Sequence, residues 1–279
     1  MTRLLKAGRY ELALDRPLVM GIVNVTPDSF AGGIRDLDAA HDHARKLVDE
    51  GADILDIGGE STRPGAVDVD DDEEIARVVP LIERLADCRR PLSIDTRKAS
   101  VMRRAVAAGA SMINDVNALR ADGAIDAAAE SGAAVCLMHM QGDPRTMQMA
   151  PHYDDVVADV QQFLRERAEA CTAAGIARER IVVDPGFGFG KTVEHNLALL
   201  DALRAIGALG YPVLAGLSRK GMLGKLTGRL VGERVHASVA AALAAITRGA
   251  AIVRVHDVAA TVDAIAVWRA AGLIPALAQ

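Results

Sequence analysis

Short apolar runs recur along this chain with a regularity that predicts its architecture. Eight stand out: Val19–Val23, Ile54–Ile57, Leu92–Ile94, Met112–Ile113, Ala134–Met138, Ile181–Val183, Val213–Ala215 and Ala251–Val255. Each is bounded by Gly, Pro or polar residues, and most are apolar without the alternation of a half-exposed strand. Such runs suit strands covered on both faces. Between them lie longer segments of helical period: Asp38–Glu50, Glu73–Ala86, Ala99–Ala108, Ala124–Ser131, Tyr153–Ala174, Glu194–Ala205, Val235–Arg248 and Val258–Ala271. Strands alternating with helices indicate βαβ units and a parallel sheet.

Eight such units in about 260 residues fit a (β/α)8 barrel. The expected fold class is therefore α/β, a single TIM barrel; a doubly wound open sheet is the competing arrangement, which periodicity alone leaves open. Residues 1–15 precede the first barrel strand, and Arg3–Asp15 are expected to form a short N-terminal hairpin closing the barrel floor. With no Ser/Gly-rich linker or low-complexity tract, residues 1–279 are expected to form one domain.

Composition narrows the function classes. Half the chain is hydrophobic (51%) and a quarter charged, whereas aromatics make up only 3%. That scarcity argues against single-strand nucleic-acid binding, which uses aromatic stacking platforms. A net charge of −5 gives no global basic footprint. The three cysteines, Cys88, Cys136 and Cys171, are odd in number and widely spaced, as in a reducing compartment. No apolar run approaches the length needed to span a bilayer, and Met1–Asp15 lacks the apolar core of a signal peptide. A cytoplasmic protein without nucleic-acid or membrane partners is expected.

In a barrel, the residues just after each strand converge on one mouth. Here they are Asn24; Glu60, Ser61, Thr62 and Arg63; Asp95 and Arg97; Asn114 and Asp115; His139; Asp184; Ser218, Arg219 and Lys220; and Arg254 and His256. Any one could be a helix N-cap, but nearly every strand delivers a polar group to the same rim. There is no His-Glu-x-x-His and no Cys-x-x-Cys, so a protein cage for a metal is not expected. Nor is there a Gly-x-Ser-x-Gly elbow for a covalent nucleophile.

The stretch DPGFGFGKT (Asp184–Thr192) has the look of a phosphate loop, but its spacing fails. Five residues before Gly190 stands Pro185 where that motif needs a glycine. What remains is a carboxylate at a strand end, followed by a glycine-rich loop carrying Phe187 and Phe189. Two of the chain's four phenylalanines in one loop suggest a wall for something flat, or packing beneath the loop.

Taken in order, MGIVNVTPDSF (Met20–Phe30), GADILDIGGESTRPGA (Gly51–Ala66), SIDT (Ser93–Thr96), IND (Ile113–Asp115), DPGFGFGK (Asp184–Lys191), SRK (Ser218–Lys220) and RVHD (Arg254–Asp257) resemble the dihydropteroate synthase family. The resemblance spans nearly the whole chain. It implies a pterin-binding (β/α)8 barrel that joins p-aminobenzoate to 6-hydroxymethyl-7,8-dihydropterin diphosphate, releasing pyrophosphate. It also implies competition by sulfonamides and a homodimer.

Site residues follow by the same resemblance. Asp184 would take the pterin's 2-amino-4-oxo edge, with Asn114, Asp95, Met138 and Lys220 on other ring positions and Arg254 laid over the ring. Asn24, Thr62, Arg63, Arg254 and His256 would hold the diphosphate, with Mg²⁺ leaning on Asn24. Phe30, Thr62, Arg63, Pro64, Phe189, Ser218 and Lys220 would enclose the aminobenzoate. Asp95, Lys220, Arg63 and Arg254 would be the catalytic set. Segments 26–33 and 58–66 would be the family's two mobile loops.

Two features depart from the family pattern. Ala-Gly-Gly follows Phe30 where Ser-Asp-Gly-Gly is common, and Gly221 follows Lys220 where a serine is often found. Other readings are a pterin-binding homologue without catalysis, a methyltetrahydrofolate–corrinoid methyltransferase and a phosphate-handling barrel of unrelated specificity.

Overall fold

The computed structural model describes residues 4–25, 34–61, 68–143 and 146–274. An antiparallel hairpin comes first, β1 (Leu4–Ala7) and β2 (Tyr10–Ala13), in the register Leu4↔Ala13 and Ala7↔Tyr10. The eight apolar runs then form β3 (Leu18–Asn24), β4 (Ile54–Gly58), β5 (Leu92–Asp95), β6 (Met112–Asp115), β7 (Ala134–Met138), β8 (Ile181–Asp184), β9 (Val213–Ala215) and β10 (Ala250–Val255). These eight strands pair in parallel and close into a barrel in the order β10-β3-β4-β5-β6-β7-β8-β9. Closure excludes the open doubly wound sheet.

The helices that cover the barrel are α1 (Ile34–Asp49), α2 (Asp71–Arg84), α3 (Ala99–Ala108), α4 (Ala124–Ser131), α5 (Val156–Ala173), α6 (Val193–Asp201), α7 (Leu203–Gly207), α8 (Gly221–Thr227), α9 (Val235–Thr247) and α10 (Val258–Ala270). Two details differ from the sequence expectation. The segment Glu194–Ala205 divides at Ala202 into α6 and α7. The helix α8 carried no sequence signal: it has seven residues, and Gly221 and Gly224 are among them. A Cβ on Gly224 would run into the Arg234 guanidinium, so close packing calls for a glycine there that helix propensity disfavours.

Strand residues alternate between two cores, as a period of two requires. Val19, Leu55, Ile57, Ile94, Ile113, Val135, Val183 and Val253 face the helices. Met20, Ile54, Met112, Ala134, Cys136, Val182, Leu214 and Ile252 fill the barrel interior, and Leu5, Ala7 and Leu14 from the hairpin region plug it from below. The expected floor-closing hairpin is therefore present. Cys136 is fully buried in this interior and its thiol is pushed well up by burial, a packing residue.

Candidate active site

Two residues above the apolar floor, on the same strand faces, the barrel interior turns polar. Ile54 is followed by Asp56, Met112 by Asn114, Val182 by Asp184 and Ile252 by Arg254. The strand register brings these groups to one height, with Gly58 opposite Asp95, Asp95 opposite Asn114, and Met138 opposite Asp184. This is the C-terminal end of every strand, where barrel enzymes place their chemistry.

Arg254 is the hub. Its Nε donates to Asp56 Oδ2 at 2.5 Å and its Nη2 to Asp95 Oδ2 at 2.6 Å. Asn114 Nδ2 donates to the same Asp56 oxygen at 3.0 Å. Burial by itself would lower the Arg254 guanidinium, but Asp56 and Asp95 more than reverse it and hold it charged. The planar fork spans two carboxylates, which a lysine ammonium could not do. Asp56 Oδ1 and Asp95 Oδ1 are buried without hydrogen-bond partners among the described residues, leaving each a spare acceptor.

The carboxylates are crowded and dry. Burial, only partly offset by Arg254 and reinforced by Asp56, pushes Asp95 up to about 7. Asp184 is pushed up to about 6 by burial, against the Gly186 N–H that donates to its Oδ1 at 2.7 Å. Lys220 is lowered to about 8 by burial, with Asp184 pulling the other way. Perturbed acids and a perturbed amine at one barrel mouth mark a functional site.

Asp56 joins the site although it is not among the site residues expected from the sequence. It lies inside the run Ile54–Ile57, which the sequence predicts as a buried strand. The available signal was the period of two: from Ile54 in the floor, the next residue on the interior face is Asp56.

Other rim residues divide into site and support. Ser218 Oγ lies 3.0 Å from His256 Nδ1 and accepts the His256 backbone N–H at 3.2 Å. Arg219, at φ 57°, forms a double hydrogen bond to Asp257. Arg97 pairs with Glu60 at 3.0 Å and Asp68 at 2.8 Å, and Lys98 bridges Glu60 and Glu74. Asp115 accepts the backbone N–H groups of Asn117 and Leu119 and shapes the turn after β6. His139 turns away to Lys191 Nζ, 2.9 Å from its Nδ1, and packs edge-on to Phe163. Thus Asp115 and His139, both on the rim by sequence, act as supports.

The loop from Asp184 to Lys191 resolves the question its glycines raise. A Cβ on Gly186 (φ 71°) would stand 1.8 Å from the His139 carbonyl oxygen, and one on Gly190 (φ 60°) 2.7 Å from that of Gln141. The glycines let this loop lie against the chain that follows β7. Of its phenylalanines, Phe187 is buried beneath the loop. Phe189 is half-buried over Val116, Met138, Met140 and Met147, with Lys220 Nζ 4.0 Å from its ring centroid.

Asn24 ends β3 opposite Gly58. A Cβ on Gly58 would lie 3.9 Å from Asn24 Oδ1 and 3.8 Å from Asp95 Oδ2, so its missing side chain leaves Asn24 and Asp95 facing one gap. Among the described residues no cluster of three His, Cys, Asp or Glu side chains is placed to hold a metal ion. A lone amide oxygen fits a hard cation that takes most of its ligands from substrate phosphates. Phe30, Thr62, Arg63 and Pro64, and most of the segments 26–33 and 58–66, lie outside the described residues.

A barrel mouth with these groups belongs to a known class. Residues 20–256 match the family model of pterin binding enzymes, and the chain belongs to that family. Within it, the chain is similar to dihydropteroate synthases. The chain is 53% identical over 277 residues to a dihydropteroate synthase of Neisseria meningitidis serogroup B, covering 96% of this chain and 97% of that one. The dihydropteroate synthase of Xanthomonas albilineans with 4-aminobenzoic acid superposes with a TM-score of 0.93 at 57% identity, covering 99% and 100% of the two chains. That of Yersinia pestis with a sulfonamide drug complex gives 0.92 at 48% identity, covering 96% and 99%.

Proposed function

We infer that the chain is a dihydropteroate synthase, a transferase of folate biosynthesis. It condenses 6-hydroxymethyl-7,8-dihydropterin diphosphate with p-aminobenzoate to give 7,8-dihydropteroate and pyrophosphate. Among the geometric features, the one that carries this reading is the buried Asp184 carboxylate with Lys220 beside it. A pterin presents adjacent N–H groups on its 2-amino-4-oxo edge, and a desolvated carboxylate at the bottom of a mouth is a matching double acceptor.

Each role follows from chemistry at a stated atom. Asp184 would accept from the pterin edge, and Asn114, Met138 and the spare oxygen Asp95 Oδ1 would bound the rest of the ring. Arg254 would lie over the ring with its orientation fixed from below by Asp56. Departure of pyrophosphate leaves positive charge on the pterin methylene, and the adjacent Asp95 would stabilise it once ionised. Lys220 would reach the ring's polar edge and, with Phe189 and Ser218, flank the aminobenzoate. His256 and Arg254 would meet the phosphates with Thr62 and Arg63; Phe30 and Pro64 would complete the aminobenzoate enclosure. Asn24 would hold Mg²⁺, which when bound neutralises charge on the leaving pyrophosphate. The aniline nitrogen then attacks, so the enzyme's contribution is positioning and charge stabilisation.

Sulfonamides, which share the aryl amine of the aminobenzoate, would compete with it. A homodimer is supported by exposed Leu226, Leu230 and Val231 along and after α8. A cytoplasmic location is supported by the three free cysteines; no described helix is long and apolar enough to cross a membrane.

Pyrophosphate release from the pterin diphosphate, followed with and without p-aminobenzoate at saturating Mg²⁺, tests the reading. Release accompanied by dihydropteroate in the presence of aminobenzoate is expected. Pterin binding with no pyrophosphate released in either condition would instead make the chain a non-catalytic homologue.

A further inference from the structure

Lys191 closes the loop after Asp184 and has no part in the chemistry above, yet only 3% of it is exposed. A lysine is seldom buried so completely unless a carboxylate pairs with it. The hydrogen bonds that the structure gives its Nζ run instead to the Phe189 carbonyl at 2.9 Å, to His139 Nδ1 at 2.9 Å and to the His139 carbonyl at 3.4 Å. A methionine would fill similar space without the cost of desolvating an amine. Packing therefore does not account for the amine.

Its partners do. Gly186, Gly188 and Gly190 all have positive φ, so the loop's own backbone preferences are permissive. Its carbonyls are fixed from outside: Gln148 Nε2 donates to Gly188 O at 2.6 Å and Tyr153 Oη to Gly190 O at 2.7 Å. Between them Lys191 takes Phe189 O. His139, the other end of the tether, is anchored by its backbone N–H to the Asp184 carbonyl at 3.0 Å and by the edge of Phe163. The amine thus ties the peptide of Phe189 to the end of β7, beneath the ring that faces Lys220.

We propose that Lys191 is a positioning residue for p-aminobenzoate, holding the Phe189 peptide so that its ring forms the wall of the aminobenzoate subsite. This rests on Phe189 bounding that subsite.

Steady-state kinetics of Lys191→Met, Phe189→Ala and the double variant separate the two ideas. Lys191→Met is expected to raise the KM for aminobenzoate about tenfold, as loss of the hydrogen bond to the Phe189 carbonyl implies. At pH 8.5, where Asp184 stays ionised with or without the nearby amine, the KM for pterin diphosphate and kcat should stay within about twofold of wild type. The double variant should be no worse than Phe189→Ala alone, because the lysine acts through that ring. A raised aminobenzoate KM in Phe189→Ala with an unchanged one in Lys191→Met overturns the proposal and leaves the subsite reading intact. No change in Phe189→Ala removes the subsite reading and the proposal with it. Equal rises in both KM values for Lys191→Met show a structural residue and also overturn it. Lys191→Gln, which keeps an N–H donor, carries the same test if the methionine variant does not fold; it should show the same selectivity for aminobenzoate with a smaller rise.

Discussion

Asp184 sets binding against stability within one side chain. Its carboxyl is pushed up to about 6 by burial, from an ordinary value of 3.8. Between those two values the folded chain keeps a proton that the unfolded chain has released. Its contribution to stability is therefore fully present in acid and is lost as pH rises through about 6. Function has the opposite sign, because the pterin edge needs the ionised form. Pterin affinity is expected to fall about tenfold per pH unit below that value, which isothermal titration across the range would show. Asp184→Asn keeps the shape and removes the charge. At pH 7.5 it should melt no lower than wild type while losing pterin affinity by at least about a hundredfold, the worth of two hydrogen bonds to a charged acceptor. A melting point several degrees lower, with affinity retained, would mean that Asp184 is a structural anion instead.

The loop after β8 shows at the level of an element what a motif can and cannot say. Gly186→Ala would drive a methyl into the His139 carbonyl at φ 71°, costing at least roughly 3 kcal/mol of stability. A fall of several degrees in Tm by calorimetry is the expected result. Gly188→Ala, also strained at φ 79°, meets the flexible Lys220 side chain (Cδ at 3.0 Å) rather than backbone, so it should cost less stability than Gly186→Ala but displace that lysine. Its signature is a raised KM for the pterin substrate. The difference between the two glycines was not legible in DPGFGFGKT, because it depends on His139 and Lys220, which are remote in sequence. The strands were legible, since burial on both faces writes itself as a continuous apolar run. Asp95, Asn114, Asp184 and Arg254 stood at or near run ends, where the barrel rule places chemistry. By contrast Asp56 was hidden within a run, and α8 within a glycine-containing segment that packs against Arg234.

Across the whole molecule, the net charge of −5 gives no hint of an anionic substrate. The barrel supplies the cations locally, drawing Lys220 and Arg254 from the ends of β9 and β10 into one low-dielectric mouth where each is worth more than at the surface. The same architecture separates that mouth from the floor. Leu5 of the hairpin is fully buried in the lower interior cluster, along with Met20, Ile54, Met112 and Leu214. Removing its side chain leaves a cavity on the side away from the chemistry, so Leu5→Ala should cost about 2–5 kcal/mol of stability. Its effect on kcat and on either KM, measured well below the melting transition, should be negligible, because Asp56, Asp95, Asn114 and Arg254 hold one another by short polar contacts in the layer above. An altered pterin KM in that variant would show instead that the floor transmits strain to the mouth, and that the hairpin is coupled to binding rather than only closing the barrel.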